Sequence, residues 1–127
     1  MNFTVRCEPD QKIIFYKHWG NLKTEDIGYV WENKFLKMPE FTELGYNLFS
    51  DYSEAIFDMS VKDVDFIIEF MRHLIPILKG KKQSIIITDP TSTAASLIFE
   101  NEVNQEIGFN VKIFSTKDAA LKWLQSS

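Results

Sequence analysis

The sequence predicts an α/β fold in which a mixed, mostly parallel sheet of five strands is surrounded by four helices. Strand and helix patterns alternate in the order ββαβαβαβα, and this alternation favours parallel strands joined by helices. Residues 84–88 are short, apolar and rich in β-branched side chains, as is typical of a strand buried on both faces. With 127 residues, of which 45% are hydrophobic, we expect a single domain over residues 1–127.

The N-terminal third is expected to form a hairpin followed by a helix. Residues 3–7 and the segment that starts at Ile13 are joined by turn residues, which predicts two antiparallel strands. The second strand is expected to end at residues 20–21. Thr24 is a suitable N-cap for the first helix, and the helical spacing continues until Pro39.

The middle of the chain predicts a third strand and a long second helix. The strand covers residues 46–52, and Ser60 is the expected N-cap of the helix. Asp63 stands at the capping-box position, although it is one methylene shorter than the usual Glu. We expect this helix to continue without a break to Gly80.

The C-terminal part predicts a fourth strand, a third helix, a fifth strand and a fourth helix. The fourth strand is the apolar run at residues 84–88, and residues 89–91 open the third helix, which is expected to reach about Val103. The last strand is expected at residues 110–114. Thr116 then caps the final helix.

Charge and cysteine content exclude several classes of protein. The net charge is −4, which argues against sequence-independent binding to nucleic acid, since that requires clustered cations. Cys7 is the single cysteine, so we expect no intramolecular disulfide and a reducing compartment. Neither a signal peptide nor a membrane-spanning segment is expected. The predicted location is therefore the cytoplasm.

Several short motifs resemble the STAS domain, and especially its SpoIIAA-like branch of anti-sigma-factor antagonists. Trp-Gly-Asn-Leu at residues 19–22 is similar to the Gly-x-Leu segment that follows the second strand there. Phe-Asp-Met-Ser at residues 57–60 resembles the Asp-Ser-Ser-Gly motif at the start of the long helix. Residues 107–111, followed by Ala-Ala-Leu at residues 119–121, resemble the last strand and the closing helix. The resemblance implies a regulatory module that contacts a signalling protein.

The motif at the start of the second helix departs from the family pattern. In anti-sigma antagonists the first Ser of Asp-Ser-Ser-Gly accepts phosphate, but here that position is Met59, and a thioether cannot be phosphorylated. Val61 replaces the glycine. Ser60 is retained, but a Ser directly before an amphipathic helix is most often an N-cap. We therefore expect no phosphorylation switch at this loop.

Polar side chains follow two neighbouring strands at the carboxyl edge of the predicted sheet, where such folds place their sites. Hydroxyls and free amides at a helix N-terminus can bind anions. A ligand or anion pocket is one interpretation; the other is that these side chains only cap helices and loops. The candidates are Asp51, Ser53, Ser60, Thr88, Asp89, Thr91 and Ser92.

The second helix is apolar over more than one face. One stripe is the expected core face and comprises Val61, Val64, Ile67, Ile68, Met71, Leu74, Ile75 and Leu78. A second stripe comprises Phe66, Phe70, His73 and Ile77. Either a neighbouring helix covers the second stripe, or it is a contact surface, most simply for a homodimer.

These patterns favour a non-catalytic regulatory or binding module that acts through protein contacts. The alternative is a protein that binds or carries an apolar small molecule or lipid, because the extra stripe and the aromatic content could line a cavity. We expect no enzyme activity, no cofactor and no metal. Neither His18 nor His73 has the neighbours of a metal site.

Overall fold

The computed structural model describes residues 2–126, and it contains a mixed five-stranded sheet. The strands are β1 (Phe3–Glu8), β2 (Ile13–Leu22), β3 (Asn47–Phe57), β4 (Lys82–Ile86) and β5 (Asn110–Phe114), and their order in the sheet is β1-β2-β3-β4-β5. β1 is antiparallel to β2, and the other pairs are parallel. The predicted sheet and its mostly parallel pairing are confirmed.

Six α-helices accompany the sheet within the described residues, where four were predicted. They are α1 (Thr24–Asn33), α2 (Pro39–Thr42), α3 (Val61–Arg72), α4 (Ile75–Leu78), α5 (Pro90–Glu106) and α6 (Lys117–Gln125). The predicted first helix ends early and is followed by a 3₁₀ turn and α2, which has Pro39 as its first residue. Lys23 rather than Thr24 is the N-cap of α1. The third helix runs to Glu106, beyond its predicted end at Val103.

The two faces of the sheet are covered by different helices. The larger core lies on the face that packs against α1, α3 and α5, where Ile14, Leu48 and Ile85 meet side chains of these helices. The smaller core lies on the opposite face, where Ile13, Phe49 and Ile86 pack against Ala120 and Leu124 of α6. The alternation of side chains along each strand produces this division.

The predicted long helix from Ser60 to Gly80 is wrong, because it is broken after Arg72. Pro76 has no backbone N–H, and its ring would clash with the carbonyl four residues earlier, which is that of Arg72. α3 therefore ends at Arg72, and the short helix α4 starts at Ile75. The break separates Ile77 from the helix that carries Phe66 and Phe70.

The second and third strands are longer than predicted. β2 continues through Gly20 and Asn21 to Leu22, and β3 continues to Phe57. β3 pairs with β4 only from Leu48 to Asp51, and its second half pairs with β2 alone, up to Leu22 opposite Phe57. The residues from Ser50 to Ser53 therefore lie inside a strand and not beyond its end.

His18 has a structural role at an irregularity in the pairing of β2 with β3. The register shifts between Lys17 and Trp19, and the imidazole of His18 is buried there. His18 Nε2 lies 3.2 Å from the carbonyl oxygen of Asn21, and Nδ1 lies 3.1 Å from the Tyr16 hydroxyl. Because a carbonyl only accepts, Nε2 carries the proton and Nδ1 accepts from Tyr16. Both ring nitrogens are thus satisfied by the fold.

Candidate functional site

Asp51 and Ser53 lie on the sheet face that is covered by α6. The Ser53 backbone N–H and hydroxyl both donate to Asp51 Oδ1, at 2.9 and 2.6 Å. Lys117 at the start of α6 places its Nζ 3.8 Å from Asp51 Oδ2. Asp51 is only 3% exposed, so its carboxylate is held within the structure by these partners.

A polar cleft of about 170 Å³ opens beside Asp51. Arg6 and Lys17 also line it, but each of these cations already has an acidic partner, Glu8 for Arg6 and Glu54 for Lys17. The Arg6 guanidinium also lies 4.3 Å from the centre of the Phe15 ring. Each cation that lines the cleft therefore has a carboxylate partner, which is Asp51 in the case of Lys117.

Three polar side chains near the start of α5 are hydrogen-bonded to backbone groups: Thr88, Asp89 and Ser92. Asp89 is the N-cap, and its carboxylate accepts from the Ser92 N–H at 2.8 Å, which lowers the pKa of Asp89. The buried Ser92 hydroxyl accepts from the Phe57 N–H at 3.0 Å, and the Thr88 hydroxyl donates to the Ser53 carbonyl at 3.2 Å.

The six predicted pocket residues whose side chains the structure describes do not gather in one pocket. Asp51 and Ser53 lie on the α6 face of the sheet, whereas Asp89 and Ser60 cap helices. The side chain of Thr91 lies outside the described residues. The polar groups of these six residues bond one another, Lys117 or backbone groups, so they do not form a shared anion pocket.

The second apolar stripe is also divided in the structure. Phe66 is 70% exposed, whereas Phe70 and Ile77 are half-buried and pack against the main core. His73 is exposed at the end of α3, with Nε2 3.8 Å from Glu69 Oε1. The four residues therefore do not form one continuous surface, and Phe66 is the large apolar member that faces water.

Other apolar side chains are exposed on α3 and on its neighbour α5. Val61, expected in the core stripe, is 61% exposed because it lies in the first turn of α3. Leu97 and Ile98 of α5 are also exposed. α3 and α5 are linked by Arg72, whose guanidinium forms ion pairs with Glu69 and with Glu106. Exposed apolar side chains mark a contact surface where they form one contiguous patch.

A cavity of about 40 Å³ lies between the sheet and the helices α1, α3 and α5. Its lining is mainly apolar and includes Trp31 and Met71, together with Met59 from the connection between β3 and α3. Gln83 and Ser96 are polar residues in the same lining. Sequence reasoning missed both, although Gln83 shares its strand face with Ile85 and Ser96 lies one helical turn after Ser92.

Comparisons with known proteins identify the fold. No family model and no curated protein matches the sequence. The structure is similar to that of an uncharacterised protein of the DUF3478 family, with a SpoIIAA-like fold, from Shewanella loihica. The TM-score is 0.63 at 18% identity, over 97% of this chain and 94% of the other. The chain has a SpoIIAA-like fold.

A second similar structure is that of the anti-sigma factor antagonist SpoIIAA in its unphosphorylated form. The TM-score is 0.55 at 13% identity, and the match covers 98% of this chain and 99% of SpoIIAA. Both similarities therefore extend over nearly the whole SpoIIAA-like fold. They bear out the resemblance that the sequence motifs predict.

In this SpoIIAA-like fold, the connection before α3 is fixed by a capping box. The Ser60 hydroxyl accepts from the Asp63 N–H at 3.3 Å, and the Asp63 carboxylate accepts from the Ser60 N–H at 2.8 Å. Met59 is half-buried and lines the cavity beneath. The predicted caps at Ser60 and at Thr116 are confirmed.

Replacing Ser60 with alanine is expected to lower the free energy of unfolding by about 1 kcal/mol, because the first turn of α3 loses its side-chain cap. Urea unfolding followed by circular dichroism measures this change. Ser60→Asn is the control, since Asn caps as well as Ser and should stay within a few tenths of a kcal/mol. Equal stability of the alanine variant and the unmodified protein would contradict the capping role.

Neither a metal site nor a membrane-spanning helix is apparent in residues 2–126. No group of three or more His, Cys, Asp or Glu side chains in this range is arranged to hold a metal ion. Within the same range, each helix is too short or too polar to cross a bilayer.

Proposed function

We propose that this chain is a non-catalytic regulatory module that binds a protein partner through the exposed side of α3. Support for a regulatory role comes from the fold, since one similar structure is an anti-sigma factor antagonist. The observation that carries the proposal is the exposure of Phe66, a large apolar side chain in the middle of an otherwise well-packed helix. Contact with another protein would remove it from water.

The binding surface is inferred to include the first turn of α3. Val61 is exposed there, and Asp58 is exposed in the preceding connection. Lys62, Asp65 and Glu69 surround Phe66 on the outer side of α3, which gives an apolar centre with a charged rim. This arrangement is common in protein interfaces, where central apolar or aromatic residues contribute most of the affinity.

Recognition is inferred to be independent of phosphorylation. The position that the family resemblance assigns to the phosphoacceptor is Met59, and the adjacent Ser60 hydroxyl is engaged with Asp63. A phosphate on Ser60 would place negative charge beside the Asp63 carboxylate, which is unfavourable. Asp63 therefore acts against the use of Ser60 as a switch.

Phe66→Asp is expected to abolish partner binding while the fold remains intact. Affinity capture of the tagged protein from its source cells, followed by quantitative mass spectrometry, measures which bound proteins are lost in the variant. Leu44→Asp is the matched control, because it replaces an exposed apolar side chain with the same charge at a position outside α3. Sedimentation of the pure protein tests whether the partner is a second copy of the chain.

The proposal fails if Phe66→Asp retains every protein that the unmodified chain captures and also sediments identically. It fails equally if Leu44→Asp removes the same proteins to the same extent, because an added charge, and not the loss of Phe66, would then be responsible. Circular dichroism of both variants must match that of the unmodified protein for the comparison to count.

A further inference from the structure

The polar cleft on the α6 face of the sheet is lined by side chains that the strand register brings together. Lys17 of β2 lies opposite Asp51 of β3, and Thr4 of β1 lies opposite Lys17. Arg6 is two residues further along β1, so its side chain is on the same face. The helix α6 packs on β3, β4 and β5. The cleft of about 170 Å³ lies beside this helix, where side chains of β1 and β2 form much of its lining.

The lining of the cleft carries a positive charge, although the net charge of the chain is −4. Its charged side chains are three cations and one carboxylate, namely Arg6, Lys17, Lys117 and Asp51. Glu8 and Glu54, the partners of Arg6 and Lys17, are not part of the lining, and their side chains are 43% and 61% exposed. Ion pairs between exposed side chains are weak, so an anion in the cleft can compete with these glutamates for both cations.

Asp51 brings a fixed hydrogen-bond acceptor into this positive cleft. Its Oδ1 accepts from the N–H and the hydroxyl of Ser53, whereas Oδ2 has no hydrogen-bond donor among residues 2–126. Lys117 Nζ lies 3.8 Å from Oδ2, which is too long for a hydrogen bond. Oδ2 is not among the unpaired side-chain atoms that are sealed from water in the described residues. A ligand can therefore reach this oxygen and donate a hydrogen bond to it.

Lys17, Lys117 and Asp51 are close enough to contact one small ligand. Lys17 and Asp51 are paired across neighbouring strands, which lie about 4.8 Å apart in a sheet. The pKa of Lys17 is raised, mainly by its hydrogen-bonded partner Glu54 and further by the charge of Asp51. Together with Lys117, this places two ammonium groups around one carboxylate. The cleft volume of about 170 Å³ corresponds to roughly a dozen water molecules, which is enough for a tetrahedral oxyanion with several waters.

We propose that this cleft binds free hydrogen phosphate, with the phosphate O–H donating to Asp51 Oδ2. The unprotonated oxygens accept from Lys17 and Lys117, and the planar Arg6 guanidinium supplies further donors. A carboxylate acceptor selects an oxyanion that carries a proton, because an oxyanion without one would place two acceptors against each other. The site lies on the opposite face of the sheet from α3 and does not depend on the proposed partner surface.

Sulfate is the discriminating probe, because it has the shape of phosphate but carries no proton at neutral or slightly alkaline pH. Nuclear magnetic resonance of the labelled protein at constant ionic strength follows the backbone amides of Ser53 and Lys117 during titration. Phosphate is expected to shift these signals in a saturable way. Sulfate is expected to bind about 10- to 100-fold more weakly, since it lacks the hydrogen bond to a charged acceptor. Equal affinity for the two anions, or shifts that do not saturate with phosphate, would overturn the proposal.

Asp51→Asn is expected to remove this selectivity, because it replaces the free acceptor with a donor. The amide oxygen of Asn still accepts from Ser53, so the bonds that hold the side chain are kept, while its NH₂ group donates to either oxyanion. Phosphate and sulfate are therefore expected to bind this variant with affinities that agree within about threefold. If the variant has a native circular dichroism spectrum and still prefers phosphate by about tenfold or more, the role of Asp51 is wrong.

Lys117→Gln and Lys122→Gln form a matched pair for the phosphate titration. Both remove one positive charge from α6, but Lys122 is exposed and is not part of the cleft lining. Lys117→Gln is expected to weaken phosphate binding by about tenfold, and Lys122→Gln by less than about twofold. An equal loss in both variants would mean that only the net charge of the chain matters, and the assigned site would be wrong.

Methyl phosphate distinguishes free phosphate from a phosphate ester. At about pH 8 a monoester has lost its second proton, whose pKa is about 6, whereas free phosphate keeps one. Methyl phosphate is therefore expected to bind as weakly as sulfate. If it binds as tightly as phosphate, the contact with Asp51 does not involve a phosphate proton, and the proposal fails.

Discussion

Trp31→Ala is expected to destabilise the protein by about 3–5 kcal/mol, because it removes a buried aromatic side chain from the main core. Trp31 is buried in α1 and meets three phenylalanine rings edge-on, with centroid distances of 5.1 Å to Phe35, 5.5 Å to Phe41 and 6.2 Å to Phe109. These contacts join three parts of the chain. They are α1, the 3₁₀ turn and α2 that hold Phe35 and Phe41, and the residue directly before β5. Their loss affects all three regions at once.

Urea unfolding followed by far-ultraviolet circular dichroism measures the effect of Trp31→Ala without relying on tryptophan fluorescence. Trp19→Ala is the matched control, because Trp19 is partly exposed near the register shift in β2. We expect this control to change the free energy of unfolding by about 1 kcal/mol or less. Similar destabilisation in both variants would contradict the central position of Trp31.

Phe70→Asp is expected to destabilise the fold by about 2 kcal/mol or more, since it removes apolar contacts and places a charge against the core. Phe70 is half-buried and packs against the main core cluster, whereas Phe66 lies one turn earlier and faces water. Phe66→Asp is therefore the control and should have near-native stability. Thermal unfolding of the two variants, measured side by side, makes the comparison.

The outcome for Phe70 also decides how the second apolar stripe of α3 is interpreted. If Phe70→Asp keeps native stability and only alters association, the stripe is a contact surface, which is one of the two interpretations that the sequence leaves open. The placement of Phe70 against the core is then wrong. If Phe66→Asp is the more destabilising of the two, the outward orientation of Phe66 is wrong.

The order of the elements could be predicted from the sequence because their boundaries are set by local chemistry. The caps Ser60, Asp89 and Thr116 each start a helix in the structure, and their side chains accept backbone N–H groups three residues later. β5 has its predicted bounds, Asn110–Phe114. Such signals act within one turn of helix, so the rest of the fold is not needed to interpret them.

The break in the long helix is also encoded locally, by Pro76. This proline lies within a run of apolar residues with good helical spacing, and that spacing alone predicts a continuous helix. The ring of Pro76 would clash with the backbone carbonyl of Arg72, four residues earlier, and α3 ends at that residue. The consequence for the candidate surface is large, because it places Ile77 on a separate helix from Phe66.

The extent of β3 and the cavity could not be predicted, because both depend on residues that are distant in sequence. The second half of β3 is ordered by pairing with β2, where Trp19 lies opposite Glu54. The cavity places Gln83 of β4 near Ser96 of α5 and the connection that contains Met59. An alternating strand pattern indicates which face Gln83 occupies, but not whether a partner for its oxygen is present there.

Phosphopeptide mapping of residues 57–63, in protein isolated from its source cells together with its bound partner, most directly tests whether recognition is independent of phosphorylation. The predicted result is an unmodified Ser60 in both the bound and the free fraction, because its hydroxyl caps α3 and Asp63 disfavours a phosphate there. Phosphorylated Ser60 in one fraction and unmodified Ser60 in the other would contradict it and establish a switch at this position.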